Sequence, residues 1–151
     1  MAFPLPEPMR LALAEAEAAA RVGEVPVGAV VTRGSDVVAT SRNIMRTASD
    51  PTAHAEMVAL RAAAAELDTP RLDECDLWVT LEPCAMCAGA IGLARVRRLY
   101  FGAPDPKGGA VLHGPRLFHQ PTCHHSPEVY AGIGEEASAA LLRDFFNERR
   151  T

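Results

Sequence analysis

Two short stretches restrict the fold of this chain more than anything else in it: Asp50-Pro51-Thr52-Ala53-His54-Ala55-Glu56 and Thr80-Leu81-Glu82-Pro83-Cys84-Ala85-Met86-Cys87. They supply an imidazole, two thiols and, in Glu56, a carboxyl group, and these work together only if the fold brings them to one place. His54, Cys84 and Cys87 are three ligands, the number a catalytic zinc site takes when its fourth position is left to water. Bound Zn²⁺ lowers the pKa of that water toward neutrality and so provides a catalytic water or hydroxide. A carboxyl that is not a ligand is then needed to move protons, and Glu56 is the candidate. Residues two apart on a regular helix point about 200° apart, so His54 and Glu56 share a site only at a helix's first turn. Asp50, Pro51 and Thr52 are start signals for such a turn. Pro83 likewise suits the opening of a second helix, whose positive end stabilises thiolates. The plainer alternatives are a structural zinc knuckle and a solvated Glu56. A structural site usually has four protein ligands, and it would leave the placement of Glu56 unexplained.

The rest of the chain reads as a frame for these groups. At 151 residues one domain is expected, residues 1–151, with 48% apolar residues to fill its core. Only 5% are aromatic, so packing relies on Ala, Val and Leu. A net charge of -4 and a pI near 5.7 are not the balance of a general nucleic-acid-binding module, so any RNA contacts are local. Four Cys, two of them in a ligand pair, point to a reducing, cytoplasmic setting and not to a disulfide framework. No apolar run suits a membrane span and the N-terminal stretch lacks the pattern of an export signal.

In chain order, residues 9–22 read as an Ala-rich helix ended by Gly23. Residues 27–32 and 36–40 read as strands joined by a hairpin at Arg33-Gly34-Ser35. A loop over residues 41–49 leads to a helix carrying Glu56 to about Leu67, broken at Thr69-Pro70. Residues 75–81 read as a central strand that delivers Pro83 and Cys84 at its carboxyl end, where open α/β sheets place ligands. A helix over about 84–94 and a strand over 97–101 imply a parallel crossover. Residues 102–127 are rich in Gly, Pro and His, residues 128–133 suit a fifth strand, and residues 135–149 a closing helix. Cys123, His113, His119, His124 and His125 allow a second metal site by composition, but their spacing matches no ligand pattern, and a polar substrate-facing or surface loop is the preferred reading.

His-x-Glu followed by Pro-Cys-x-x-Cys is the signature of zinc nucleobase deaminases. Together with Glu24-Val25-Pro26-Val27-Gly28-Ala29-Val30, residues 80–90, and Phe101-Gly102-Ala103 with Asp105 and Lys107, it resembles the bacterial tRNA-specific adenosine deaminases over most of the chain. That resemblance implies a cytidine deaminase-like α/β fold, a three-layer α-β-α sandwich around a five-stranded mixed sheet. It implies one Zn²⁺ per subunit, a homodimer, and a tRNA anticodon stem-loop as partner. It also implies that Asn43, Val27, Ala55 and Pro83 meet the nucleoside, and that Asp105, Lys107, Phe145, Arg149 and Arg150 lie beside the RNA. From the residues alone, Asn43 is as readily a turn residue bonding its own backbone, and one of Phe145 and Phe146 packs inward with Leu142. Arg149 and Arg150 are equally readable as cations complementing a helix C-terminus, and Lys107 with Arg95, Arg97 and Arg98 is expected to extend a local basic surface. The chain departs from the family where Arg42, Ile44 and Met45 flank Asn43 in place of Trp-Asn-Arg-Pro, where Leu112-His113-Gly114-Pro115 replaces Gly-Ser-Leu, and where His124-His125 replaces Asn-His.

The expected activity is hydrolysis of the C–N bond of a cyclic amidine: adenosine to inosine at the wobble position, 34, of a tRNA. Deamination of a free guanine, cytosine or pyrimidine nucleotide by the same groups is the alternative, kept open by the loop departures and the acidic pI. A non-catalytic RNA- or protein-binding subunit that keeps zinc for stability is a third reading.

Overall fold

The computed structural model describes residues 4–149; the expectation for Arg150 lies outside them. One five-stranded sheet runs in the order β2-β1-β3-β4-β5, with β1 Gly28–Arg33, β2 Asp36–Arg42, β3 Cys75–Leu81, β4 Arg98–Ala103 and β5 Glu128–Tyr130. β1 pairs antiparallel with β2 and β3, and β3-β4-β5 are parallel. The sheet is therefore mixed. α1 (Glu7–Arg21) and α5 (Glu135–Glu148) cover one face, and α3 (Ala55–Leu67) and α4 (Ala85–Ala94) the other, which gives three α-β-α layers.

Strand alternation divides the core between the faces. Ala29, Val31, Leu77 and Val79 pack toward α3 and α4 with Ala59, Leu60, Ala88 and Ile91. Val30 and Trp78, one position out of phase, pack on Met9, Ala12 and Leu13 of α1. That second face is tight: a Cβ on Gly28 would stand 1.9 Å from the Ala12 carbonyl oxygen, so glycine there lets α1 lie directly on β1. A row of rings crosses the same side of the sheet, Trp78 on Tyr100 with centroids 3.8 Å apart and Tyr100 on Tyr130 at 5.1 Å.

Two differences from the sequence reading stand out. Residues 45–48, expected as loop, form the short helix α2 (Met45–Ala48). Its N–H groups at Arg46 and Thr47 are met by the buried carboxylate of Glu24, at 3.1 and 2.7 Å, a tertiary contact with no local signal. The fifth strand stops at Tyr130. α3 ends at Leu67 as expected, with Asp68 in the left-handed region before Thr69-Pro70. Among the described residues no helix is long and apolar enough to cross a membrane.

Candidate active site

His54 is the N-cap of α3 and Cys84 the N-cap of α4. Their carbonyls accept the first helical bonds, from Val58 N at 3.0 Å and Ala88 N at 2.8 Å. Glu56 and Cys87 thus stand in first turns, where a residue two or three along shares the cap's side. An Asx turn sets up the first of these starts: Asp50 accepts from the backbone N–H and hydroxyl of Thr52, at 2.8 and 2.7 Å. Ser41 of β2 then ties α3 down by donating to the Ala55 carbonyl at 2.6 Å.

The result is a cluster of ligands. His54 Nδ1 is 3.5 Å from Sγ of both Cys84 and Cys87, and the three donor atoms lie within 4.8 Å of one another. No other such group of three occurs among the described residues. A hydrogen bond from the Cys87 thiol, opposed by burial and aided by His54, brings the Cys84 thiol down to about 4. Cys87 is pushed the other way, as donor to Cys84 and by burial. The bond to Cys84 raises His54 against the effect of burial. One thiolate, one thiol and an imidazole so close together form a site that could hold a divalent metal ion, which would displace the shared protons. Glu56 is 4% exposed, and burial pushes its carboxyl up to about 6 against its own backbone N–H and His54. A carboxyl poised there is suited to passing protons in both directions.

His54, Glu56 and Cys84 form the floor of a cavity of about 220 Å³ lined also by Val25, Val27, Asn43, Met45, Ala55, Leu81, Glu82, Asp105 and Gly108, whereas Cys87 is fully buried and off the lining. The structure thus brings Val27, Asn43, Ala55 and Asp105 to one place. Asn43 meets both descriptions offered by its sequence: its Oδ1 accepts from Met45 N at 3.1 Å as a turn residue does, and it lines the cavity. Pro83 is not on the lining; its carbonyl accepts from Ala110 N at 2.9 Å. Lys107 lies on an adjoining outer pocket with Pro104, Leu142 and Phe146.

Several expectations are corrected. Phe145 is buried at 6% exposure beneath the Arg149 guanidinium, whereas Phe146 is 45% exposed and lines the outer pocket; the helix phase turns Phe146 outward. Arg149 bonds the Phe145 carbonyl at 3.2 Å, as a helix-terminal cation does. Arg97 and Arg98 do not extend a basic surface at the site: they pair with Asp76 and Glu128, at the starts of β3, β4 and β5, the opposite end of the sheet. Cys123 and His124 do not face the cavity; they border a separate groove with Gly89, Gly92 and Leu93 of α4, while Cys123 donates to the His125 carbonyl and His125 Nε2 meets the Val96 carbonyl at 2.7 Å. Val25, Met45, Leu81, Glu82 and Gly108 are cavity residues that the sequence reading did not single out. Leu81 and Glu82 lie inside the 80–87 motif and Val25 inside the 24–30 run, but none of the five carries a signal of its own.

Residues 6–150 match the MafB19-like deaminase family. The chain is 56% identical over 142 residues to the tRNA-specific adenosine deaminase of Agrobacterium fabrum, covering 94% of this chain and 93% of that protein. The chain belongs to the MafB19-like deaminases, among the tRNA-specific adenosine deaminases. Solved structures of deaminases agree in fold. One, from a study of A-to-I editing by tRNA:A34 deaminases at the wobble position of transfer RNA, superposes with a TM-score of 0.88 at 55% identity, covering 89% of this chain and 98% of that one. A guanine deaminase from Nitrosomonas europaea gives 0.80 at 26% identity, covering 96% and 86%. The fold of the chain is thus cytidine deaminase-like.

Proposed function

We propose that this chain hydrolyses adenosine to inosine at the wobble position, 34, of a tRNA anticodon, as a single zinc-dependent domain that works as a homodimer in the cytoplasm. The observation that carries this reading is the cluster of His54, Cys84 and Cys87, with His54, Cys84 and Glu56 open to one cavity, in a chain 56% identical to a tRNA-specific adenosine deaminase. Zinc suits the donors: tetrahedral Zn–N and Zn–S bonds put nitrogen and sulfur about 3.5 Å apart, the separation His54 has from both thiols. When bound, zinc supplies Lewis-acid chemistry that makes a hydroxide nucleophile available near neutral pH.

The chain's own residues do the rest. Glu56 carries the protons: of the two on the attacking water, one ends on N1 of the ring and the other on the leaving amine, so that adenosine and water become inosine and ammonia. Val27, Ala55 and Leu81 give the base an apolar slot. Oδ1 of Asn43 is engaged by Met45 and its amide NH₂ donates to the Val25 carbonyl at 3.5 Å, which leaves the second N–H of that amide to orient a nucleoside. The adenine must leave its stack to enter, which costs less in an anticodon loop than in a duplex. Neighbouring nucleotides would meet Asp105, Lys107 and Phe146 on the outer pocket, and Arg150 a phosphate. Leu93, 77% exposed beside the α4 groove, supports packing of a second copy there. Thiols required as ligands favour the reducing cytoplasm.

The test is to incubate the purified protein with a tRNA bearing adenosine at the wobble position, sequence it for inosine, and measure ammonia from free bases and nucleosides in parallel. Inosine at that one position is expected. Ammonia from guanine or cytosine with no inosine would replace this reading with the small-molecule one, and RNA binding without any ammonia release would make the protein a non-catalytic partner.

A further inference from the structure

The cavity's outer wall is wrapped around a carboxylate that the deamination chemistry does not use. The Glu82 side chain is fully buried and accepts five hydrogen bonds. Oε2 takes the backbone N–H groups of Val111, Leu112 and His113 at 3.2, 2.9 and 3.1 Å. Successive N–H groups converging on one point form the concavity in which proteins hold anions; here the anion is the chain's own. Oε1 takes Asp105 N at 3.0 Å and His113 Nδ1 at 2.8 Å. Gly109 allows the wall to close, since a Cβ there would stand 2.5 Å from Glu82 Cδ and 2.6 Å from the Asp105 carbonyl oxygen.

The same wall is fastened to the ligand turn. Ala110 N donates to the carbonyl of Pro83, the residue before Cys84, and Glu82 N donates to Ala103 at the end of β4, each at 2.9 Å. Residues 105–113 and the Cys84 turn therefore make one piece, with Asp105 and Gly108 at the cavity's mouth. Four of the five donors are backbone groups that almost any residue supplies. Only the fifth, the imidazole of His113, depends on the residue at its position, and that ring is 37% exposed at the edge of the arrangement.

We propose that Glu82 is a positioning residue and His113 its lock: together they fix the 105–113 wall against the Cys84 turn and so set how tightly the nucleoside is held. The assignment rests on the reading above that this cavity receives a nucleoside. Hydrogen bonds to a charged group contribute roughly 1.5–3 kcal/mol, equivalent to about tenfold or more in a local opening equilibrium.

The experiment compares zinc-loaded wild type, His113→Ala and His113→Asn, whose amide N–H reaches toward the place of the imidazole Nδ1. Amide hydrogen exchange over residues 105–113 is measured without substrate, with metal content, KM and kcat for the wobble-adenosine tRNA. His113→Ala is expected to speed exchange there by about tenfold and to raise KM by a similar factor, with kcat and metal content little changed; His113→Asn restores both. Glu82→Gln, which sets an NH₂ against N–H donors, is expected to loosen the wall further, and if it does not fold the His113 pair still decides. Unchanged exchange in His113→Ala, equal behaviour of Ala and Asn, or a fall in kcat at constant KM would overturn the proposal. Faster exchange reversed by Asn, with no inosine formed by the wild type, would leave the lock standing and remove the substrate reading instead.

Discussion

At the floor of the inner cavity, His54, Glu56 and Cys84, together with the buried Cys87, stand on the first turns of two helices; at its mouth, residues 43–47 and 105–113 hang from the buried carboxylates of Glu24 and Glu82. The floor is made of reactive side chains placed by regular backbone. The mouth is the reverse, irregular backbone placed by side chains that do no chemistry. On the proposed function this difference predicts two kinds of effect: changes at the floor should act on turnover, and changes at the mouth on substrate affinity and on local stability.

The largest effect expected from that division is at Glu56. Glu56→Gln should lower kcat by about 10²–10⁴-fold while bound metal, read by elemental analysis, stays at the wild-type level. A mouth variant with an equal loss of kcat and an unchanged KM would break the division. Next comes Glu24→Ala, which leaves the Arg46 and Thr47 N–H groups without their acceptor and should cost about 1–3 kcal/mol in urea unfolding, with KM rising more than kcat falls.

A pH series sharpens the same point. Burial acts to raise the Glu24 carboxyl, but the bonds from Thr47 and Arg46 outweigh it and hold the group below its ordinary 4.5. Its stabilising contribution is therefore complete above about pH 4.5 and is lost as pH falls through the lower folded value, because the unfolded chain takes up the proton first. Urea midpoints measured from pH 6 downward should fall less steeply for Glu24→Gln than for the wild type. The smallest effect is expected from Arg46→Ala: its backbone N–H stays, its side chain is exposed, and stability should change by no more than about 0.5 kcal/mol. A larger loss would mean that side-chain charge, and not the backbone bond, holds this side of the mouth.

The floor was legible in the sequence because its rules are local. His-x-Glu after Asp-Pro-Thr, and Pro-Cys-x-x-Cys after a β-branched strand, each state a helix start and its ligands within a few residues. β3 was bounded at Cys75 and Leu81 as found, and α4 differs by one residue. The mouth was not legible, because backbone N–H groups carry no residue signature: nothing in Met45-Arg46-Thr47-Ala48 announces a helix without Glu24 some twenty residues earlier, and Glu82 looks like any acid in a turn. Phe145 and Phe146 show a third limit. The three- and four-residue spacings from Leu142 both satisfy an inward face, so the choice between them waited on how α5 is rotated against the sheet.

Trp78, the chain's single tryptophan, is buried against Tyr100 and donates its indole N–H to Thr32 at 3.1 Å, on the side of the sheet away from the cavity. Its fluorescence is thus an optical gauge of whether β1, β3 and β4 remain together. Opening at the mouth would leave that emission untouched, so a protein that has lost its grip on substrate would still look fully native in a spectrometer.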